Sequence, residues 1–266
     1  MTSKIKHLAI VSENPEYLAD FYANAFRVQR SPSRGSGAVV IGDGYVGVNI
    51  IPRFAGRQAG FDHFGFEVAN VNTIFARIEE CYPAVKVVKR PSDRPFAGIS
   101  THDPAGNVFD LSQEGMDNRT DLYTEQERRQ DCYIDHFVLR TVNLEEVSKF
   151  YRNVFDLVEQ EKPASDPNHY LSDGRVTLVL SPWQITDFDG AGIERPALDH
   201  IGFKVDSIEE TRKRIETLSR KNLAFSPRPF RAGPEGEARR NLFSKCAHGQ
   251  YQLTDPDGIL IDVREQ

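Results

Sequence analysis

The chain carries one pattern twice. His7–Phe26 reads HLAIVSENPEYLADFYANAF, and His136–Phe155 reads HFVLRTVNLEEVSKFYRNVF. At a constant offset of 129, His7, Asn14, Phe21, Tyr22, Asn24 and Phe26 meet His136, Asn143, Phe150, Tyr151, Asn153 and Phe155. Asp43-Gly44 and Pro52 then meet Asp173-Gly174 and Pro182 at an offset of 130, and Asp62-His63 meet Asp199-His200 at 137. DRPF (Asp93–Phe96) echoes PRPF (Pro227–Phe230), and DPAGNVFDL (Asp103–Leu111) meets DPDGILIDV (Asp255–Val263) at an offset of 152. The order never changes and the offset only grows. This is a tandem duplication with insertions in the second copy, the largest between Phe230 and Thr254, and both copies must fold alike.

Within a copy, the apolar, β-rich run Ile5–Val11 predicts a strand. Asn14 then offers a helix cap with Pro15 at the first helical position. Leu18, Phe21, Tyr22, Ala25 and Phe26 follow the spacing of a one-faced helix. Gly35–Pro52 reads as two strands hinged at Asp43-Gly44. The pattern restarts at Phe61–Val68, with a helix over Val71–Glu80, a strand over Val85–Lys89 and a final pair of strands from Gly98 to Ser112. The fold class expected is α+β: four βαβββ units in two tandem halves, each half a curved mixed sheet with its helices outside. The halves span residues 1–115 and 132–266, joined by a polar linker at 116–131.

Composition narrows the function. With 39% hydrophobic and 27% charged residues in 266, this is an ordinary globular chain with a sizeable core. A net charge of −6 without a basic run argues against nucleic acid as a partner. No apolar stretch reaches bilayer length, and MTSKIKHLAIVSENPEY has no signal-type core, so no membrane partner and a cytoplasmic location are expected. The three cysteines, Cys81, Cys132 and Cys246, are scattered, which excludes a disulfide scaffold and a Cys-based zinc site. The expected partner is a small-molecule substrate. Homo-oligomerisation stays open.

Four of the seven histidines fall at repeated places. His7 and His136 sit on the opening strand of each half, and His63 and His200 open its second unit. Asp110 and Asp262 sit on the last strand, between Phe109 and Leu111 and between Ile261 and Val263. Side chains alternate across a strand, so if the apolar neighbours face the helices, these His and Asp face the concave side. Two imidazoles and one carboxylate converging there form a facial triad with three open positions on an octahedral metal. A lone aspartate in an apolar strand is costly unless paired or liganded, which favours a ligand role.

On these residues the chain resembles the vicinal oxygen chelate superfamily: glyoxalase I, methylmalonyl-CoA epimerase, bleomycin-resistance proteins and extradiol ring-cleaving dioxygenases. The HLAI and HFVL strands, the DHxGFxV strands and the DPxG…D endings carry the resemblance, twice over nearly the whole chain. It implies metal ligands at His7, His63 and Asp110 and at His136, His200 and Asp262. The cofactor implied is a divalent metal, Fe(2+) first, with Mn, Zn, Ni or Co as alternatives. The family's terminal ligand is usually Glu; the shorter Asp requires a closer strand or an intervening water. Glyoxalase-type members add a Glu from the last strand of the first unit, and neither Tyr45–Ile51 nor Arg175–Leu180 contains a carboxylate. That favours an extradiol-type dioxygenase cleaving a small catechol-like aromatic. The alternatives are a lyase or epimerase working through an enediolate, and a non-catalytic binding or resistance protein. Candidate acid/base residues are His248 and Tyr251, although Tyr251 falls one residue out of phase for the cup face. Arg228, His102 and Arg94 are further candidates.

Overall fold

A computed structural model describes residues 3–32, 36–92, 96–116 and 132–266. The first half runs β1 (Ser3–Ser12), α1 (Pro15–Phe26), β2 (Gln29–Arg30), β3 (Val39–Gly42), β4 (Gly47–Pro52), β5 (Gly60–Val68), α2 (Val71–Cys81), β6 (Val88–Lys89), β7 (Ile99–His102) and β8 (Val108–Gln113). The second runs β9 (Cys132–Thr141), α3 (Leu144–Phe155), β10 (Val158–Glu159), β11 (His169–Ser172), β12 (Thr177–Pro182), α4 (Ile185–Ala191), β13 (Ala197–Val205), α5 (Ile208–Lys221), α6 (Pro234–Ser244), β14 (Tyr251–Thr254) and β15 (Leu260–Glu265). A short 3-10 turn at Leu223–Phe225 lies between α5 and α6. The expected βαβββ order recurs. In the fourth unit, the turn and α6 fill the interval between α5 and β14, where the second unit has the edge strand β6. Most of the 116–131 linker and Arg94 lie outside the described residues.

Each half forms one sheet, in the orders β2-β3-β4-β1-β5-β8-β7-β6 and β10-β11-β12-β9-β13-β15-β14. The decisive pairing is parallel: β5 on β8 sets Gly65 beside Asp110, and β13 on β15 sets Gly202 beside Asp262. One face of this pair is aromatic, with Phe64, Phe66 and Phe109 buried. The other face carries the polar residues. Helix starts follow the local chemistry. Asn14 Oδ1 accepts from the Tyr17 N–H and Pro15 occupies the first turn. Its sequence match Asn143 instead adopts a left-handed backbone, φ 53°, with no side-chain cap. The same residue thus serves two local purposes.

The chain divides into two compact units, Met1–His7 with His63–Arg119 and Phe137–Leu198, and Leu8–Asp62 with Thr120–His136 and Asp199–Gln266. Each unit combines a βαβββ element of one half with one of the other. In the first, Phe66 stacks on Phe155 at 4.3 Å between ring centroids. In the second, Phe26 stacks on Phe203 at 4.1 Å. Full burial of such a ring stabilises by roughly 1.5–3 kcal/mol.

Reciprocal polar ties accompany these cores. Asp43 Oδ1 caps its own turn by accepting from Tyr45 and Val46, while Oδ2 accepts from the Ile134 N–H at 2.8 Å. Asp173 does the same, with Oδ2 accepting from the Ile5 N–H at 2.6 Å. The Tyr22 hydroxyl donates to Asp255 at 2.8 Å, and the Tyr151 hydroxyl donates to Asp103 at 3.1 Å. Several residues repeated in the sequence are therefore the ties between halves. Among the described residues no helix is long and apolar enough to cross a membrane.

Burial pushes the Asp255 carboxyl up to about 7, against the hydrogen bonds from Ile259 and Tyr22. A carboxyl with a raised folded pKa contributes stability that is complete below about pH 4 and is lost as pH rises through 7. Chemical denaturation across pH 4–8 is expected to show this loss, on the order of 2–4 kcal/mol, and Asp255→Asn to flatten it. Equal slopes for both proteins would refute the assignment.

Candidate metal centres

His7 on β1, His63 on β5 and Asp110 on β8 converge. His7 Nε2 lies 3.3 Å from His63 Nε2, which lies 3.1 Å from Asp110 Oδ2. Three donors this close suit one cation: ligands at roughly 2.0–2.2 Å in cis positions of an octahedron lie about 3 Å apart. The Phe96 ring stacks on His7 at 4.6 Å and fixes its plane. The Ser100 hydroxyl donates to Asp110 Oδ1, and the Arg90 guanidinium donates to Ser100 at 2.6 Å and approaches Asp110 at 3.5 Å. Burial would raise the Asp110 carboxyl, but the hydrogen bond and charge of His63 hold it below its ordinary value. The shorter Asp reaches its partner imidazole directly.

His136 on β9, His200 on β13 and Asp262 on β15 form the second cluster, with donor atoms all within 4.8 Å of one another. His136 Nε2 lies 3.2 Å from Asp262 Oδ2, off the line of a straight hydrogen bond. His200 Nε2 is buried without a partner, as a metal-ligating nitrogen would be. Both Nδ1 atoms are tied to the preceding aspartate: His136 to Asp135 at 3.0 Å and His200 to Asp199 at 2.8 Å. Such carboxylates fix ring orientation and leave Nε2 as the ligating atom. Asp199 is itself held by Arg239 of α6 at 2.7 Å. Burial would raise Asp262, but the close approach and charge of His136, with the Gln252 hydrogen bond, hold it far below the usual carboxylate range. Burial lowers His200 from its ordinary value, and Asp199 only partly opposes this.

The glycine of each DHxGF strand makes this geometry possible. A Cβ on Gly202 would lie 2.0–2.3 Å from the His136 imidazole, and one on Gly65 would lie 3.2 Å from His7 Cβ and 2.9 Å from Phe96. At Gly202 only the absence of a side chain lets the neighbouring strand's imidazole lie over the sheet; at Gly65 the fit is tight rather than exclusive.

The remaining sequence candidates divide. The His248 ring lies 4.9 Å from His136, and burial, then the charge of His136, pushes its pKa down to about 4. Tyr251 is not brought in. It pairs with Val263, while Gln252 faces Asp262, and the Arg212 guanidinium lies over the Tyr251 ring at 5.3 Å. The one-residue phase difference sends Tyr251 to the opposite face and puts Gln252 Nε2 2.8 Å from Asp262 Oδ1. His102 accepts from the Lys86 N–H at 3.0 Å and serves its own strand. Arg228 lies against the DPDG turn, its N–H donating to the Asp255 carbonyl at 3.1 Å. Sequence reasoning missed Asp135, Asp199, Ser100 and Gln252. The signal was present: an Asp precedes His136 and His200, and Ser100 and Gln252 each fall ten residues before the terminal Asp.

A model of the glyoxalase/bleomycin resistance protein/dioxygenase superfamily matches residues 4–111 and again 133–263. The chain belongs to this superfamily. Among solved structures it is similar to BphC, a halotolerant catechol dioxygenase, at 14% identity and TM-score 0.63, covering 100% of this chain and 87% of that one. It is similar to the 2,3-dioxygenase LapB from Pseudomonas sp. KL28 at 17% identity and TM-score 0.62, covering 99% and 92%. It is also similar to the Mn(II)-bound glyoxalase from Novosphingobium aromaticivorans at 15% identity and TM-score 0.63, covering 99% and 82%. No protein of curated function matches the sequence. At these identities the likeness to the solved structures shows the fold alone.

Gly202→Ala is expected to destabilise by about 3 kcal/mol or more, because the imidazole must leave its seat, whereas Gly65→Ala should cost only about 1 kcal/mol. Urea denaturation checks the order; a neutral Gly202→Ala would overturn it.

Proposed function

We propose that the chain is a metal-dependent dioxygenase of the extradiol type, acting on a small catechol-like aromatic. The observation carrying this reading is the donor set: two imidazole nitrogens and one carboxylate oxygen within 3.1–3.3 Å steps at His7, His63 and Asp110. Neither β4 nor β12 brings a fourth carboxylate. Three protein ligands leave three positions of an octahedral cation, enough for a bidentate diolate and dioxygen. A ferrous ion bound there would supply the redox chemistry and positive charge that this reaction needs. The chain supplies the rest. Phe96 and Ser100 orient the donors, and Arg90 adds a fixed positive charge beside a site that would take an anionic diolate.

Protein loaded with ferrous iron without oxygen is expected to take up oxygen with at least one of a panel of catechols, and chelation should stop it. The second reading is a metal-dependent lyase or epimerase, favoured by the likeness to the Mn(II)-bound glyoxalase. No oxygen uptake with any catechol, alongside turnover of a hemithioacetal or an acyl-CoA epimer, would replace the first reading with the second.

Ser100→Ala is expected to weaken metal affinity about 10–100-fold by freeing the Asp110 carboxylate, with the fold intact. Competition against a chromophoric chelator measures this. Unchanged affinity would remove Ser100 from the site.

A further inference from the structure

Resting on the reading of the triads as metal centres, we infer that they have different roles. The first-half centre, His7, His63 and Asp110, receives substrate. The second-half centre, His136, His200 and Asp262, is sealed and serves the fold.

Three observations carry this. The first is access. The His63 and Asp110 side chains keep 19% and 8% exposure, and Arg90 beside them keeps 46%. His136, His200 and Asp262 keep 1%, 0% and 0%. A bidentate ligand needs an open face on the cation, and among the described residues only the first centre offers one.

The second is how each carboxylate is used. Asp262 Oδ2 accepts from the His248 N–H at 2.6 Å and the Gly249 N–H at 2.7 Å, and Oδ1 accepts from Gln252 at 2.8 Å. Two oxygens offer about four lone-pair positions, so at most one remains. Among the described residues no backbone N–H reaches Asp110; its partners are Ser100, Arg90 and His63. Asp110 therefore keeps free valence for a cation that must also carry substrate.

The third is the insertion. The stretch between Phe230 and Thr254, which the first half lacks, builds α6 and the turn leading into β14. Phe243 of α6 lies 4.6 Å from the His200 ring, and Arg239 of α6 holds Asp199. A Cβ on Gly249 would lie 2.1 Å from the Val263 carbonyl oxygen and 2.6 Å from Asp262 Oδ1. Glycine at that position lets the turn close directly over the carboxylate. The inserted segment thus occupies the side from which substrate would approach the second cluster. His248 belongs to this cover through its N–H and is not an acid/base for the reaction.

The test is anaerobic binding of 4-nitrocatechol to the ferrous-loaded full chain, followed by the shift of its visible absorption band, with no turnover involved. Wild type, His200→Ala and Asp262→Asn are expected to bind within about threefold of one another, and His63→Ala to lose the shift. The two second-half variants should instead show lower melting temperatures than His63→Ala. Asp262→Asn, nearly isosteric, covers the case in which His200→Ala does not fold. Retention of the shift by His63→Ala, its loss from natively folded Asp262→Asn, or no shift in wild type would overturn the inference. Failure of the dioxygenase reading looks different: 4-nitrocatechol would bind at the first centre while oxygen uptake is absent for every catechol.

Discussion

The close approach of the first strand's histidine to a glycine on the adjacent strand is the contact on which both centres are built, tightest where the His136 imidazole lies over Gly202. His136 occupies the position over Gly202, where any side chain would collide with its ring; at Gly65 a Cβ would press on Phe96, the Asp110 carbonyl and His7 Cβ, a tighter fit but a milder one. The parallel pairing then brings the terminal aspartate beside the same glycine. First-strand histidine, second-unit histidine and last-strand carboxylate thus meet through strand register. That register is enforced by the other face of the sheet, where Phe64, Phe66 and Phe109 must stay buried. A slip of one residue would expose the aromatic face and break the centre at once.

The duplication is tied together as firmly as it is repeated. Each half lends a turn aspartate to the opening strand of the other and a helix tyrosine to the other's DPxG turn. These bonds are buried, so losing one partner leaves an unsatisfied group rather than a solvated one. Much of the sequence identity between the halves is accounted for by this exchange. Tyr22, Tyr151, Asp43 and Asp173 are matched because each ties one half to the other, independently of the centres.

Against that shared frame the two centres use one ligand set differently. In the first, among the described residues, side chains alone meet the carboxylate, and the cluster keeps exposure to solvent. In the second, backbone N–H groups from an inserted turn occupy the carboxylate, and a helix covers the imidazole. Tertiary surroundings, with the same three residue types, set whether a cluster can meet a ligand from solution.

The periodic features were legible from the chain alone. The repeat gave the element order, Asn14 and Pro15 the start of α1, and the six recurring His and Asp the clusters, because spacing along a strand or helix is local information. The place of Tyr251 was legible only as a phase warning. Its exclusion, and the entry of Gln252, follow from a pairing register that sequence spacing approaches but does not define. Exposure of the first centre and closure of the second by α6 were decided by tertiary structure. They depend on which distant segments pack over a site, and residues such as Phe243 and Gly249 carry no local sign of the imidazole or carboxylate they will cover.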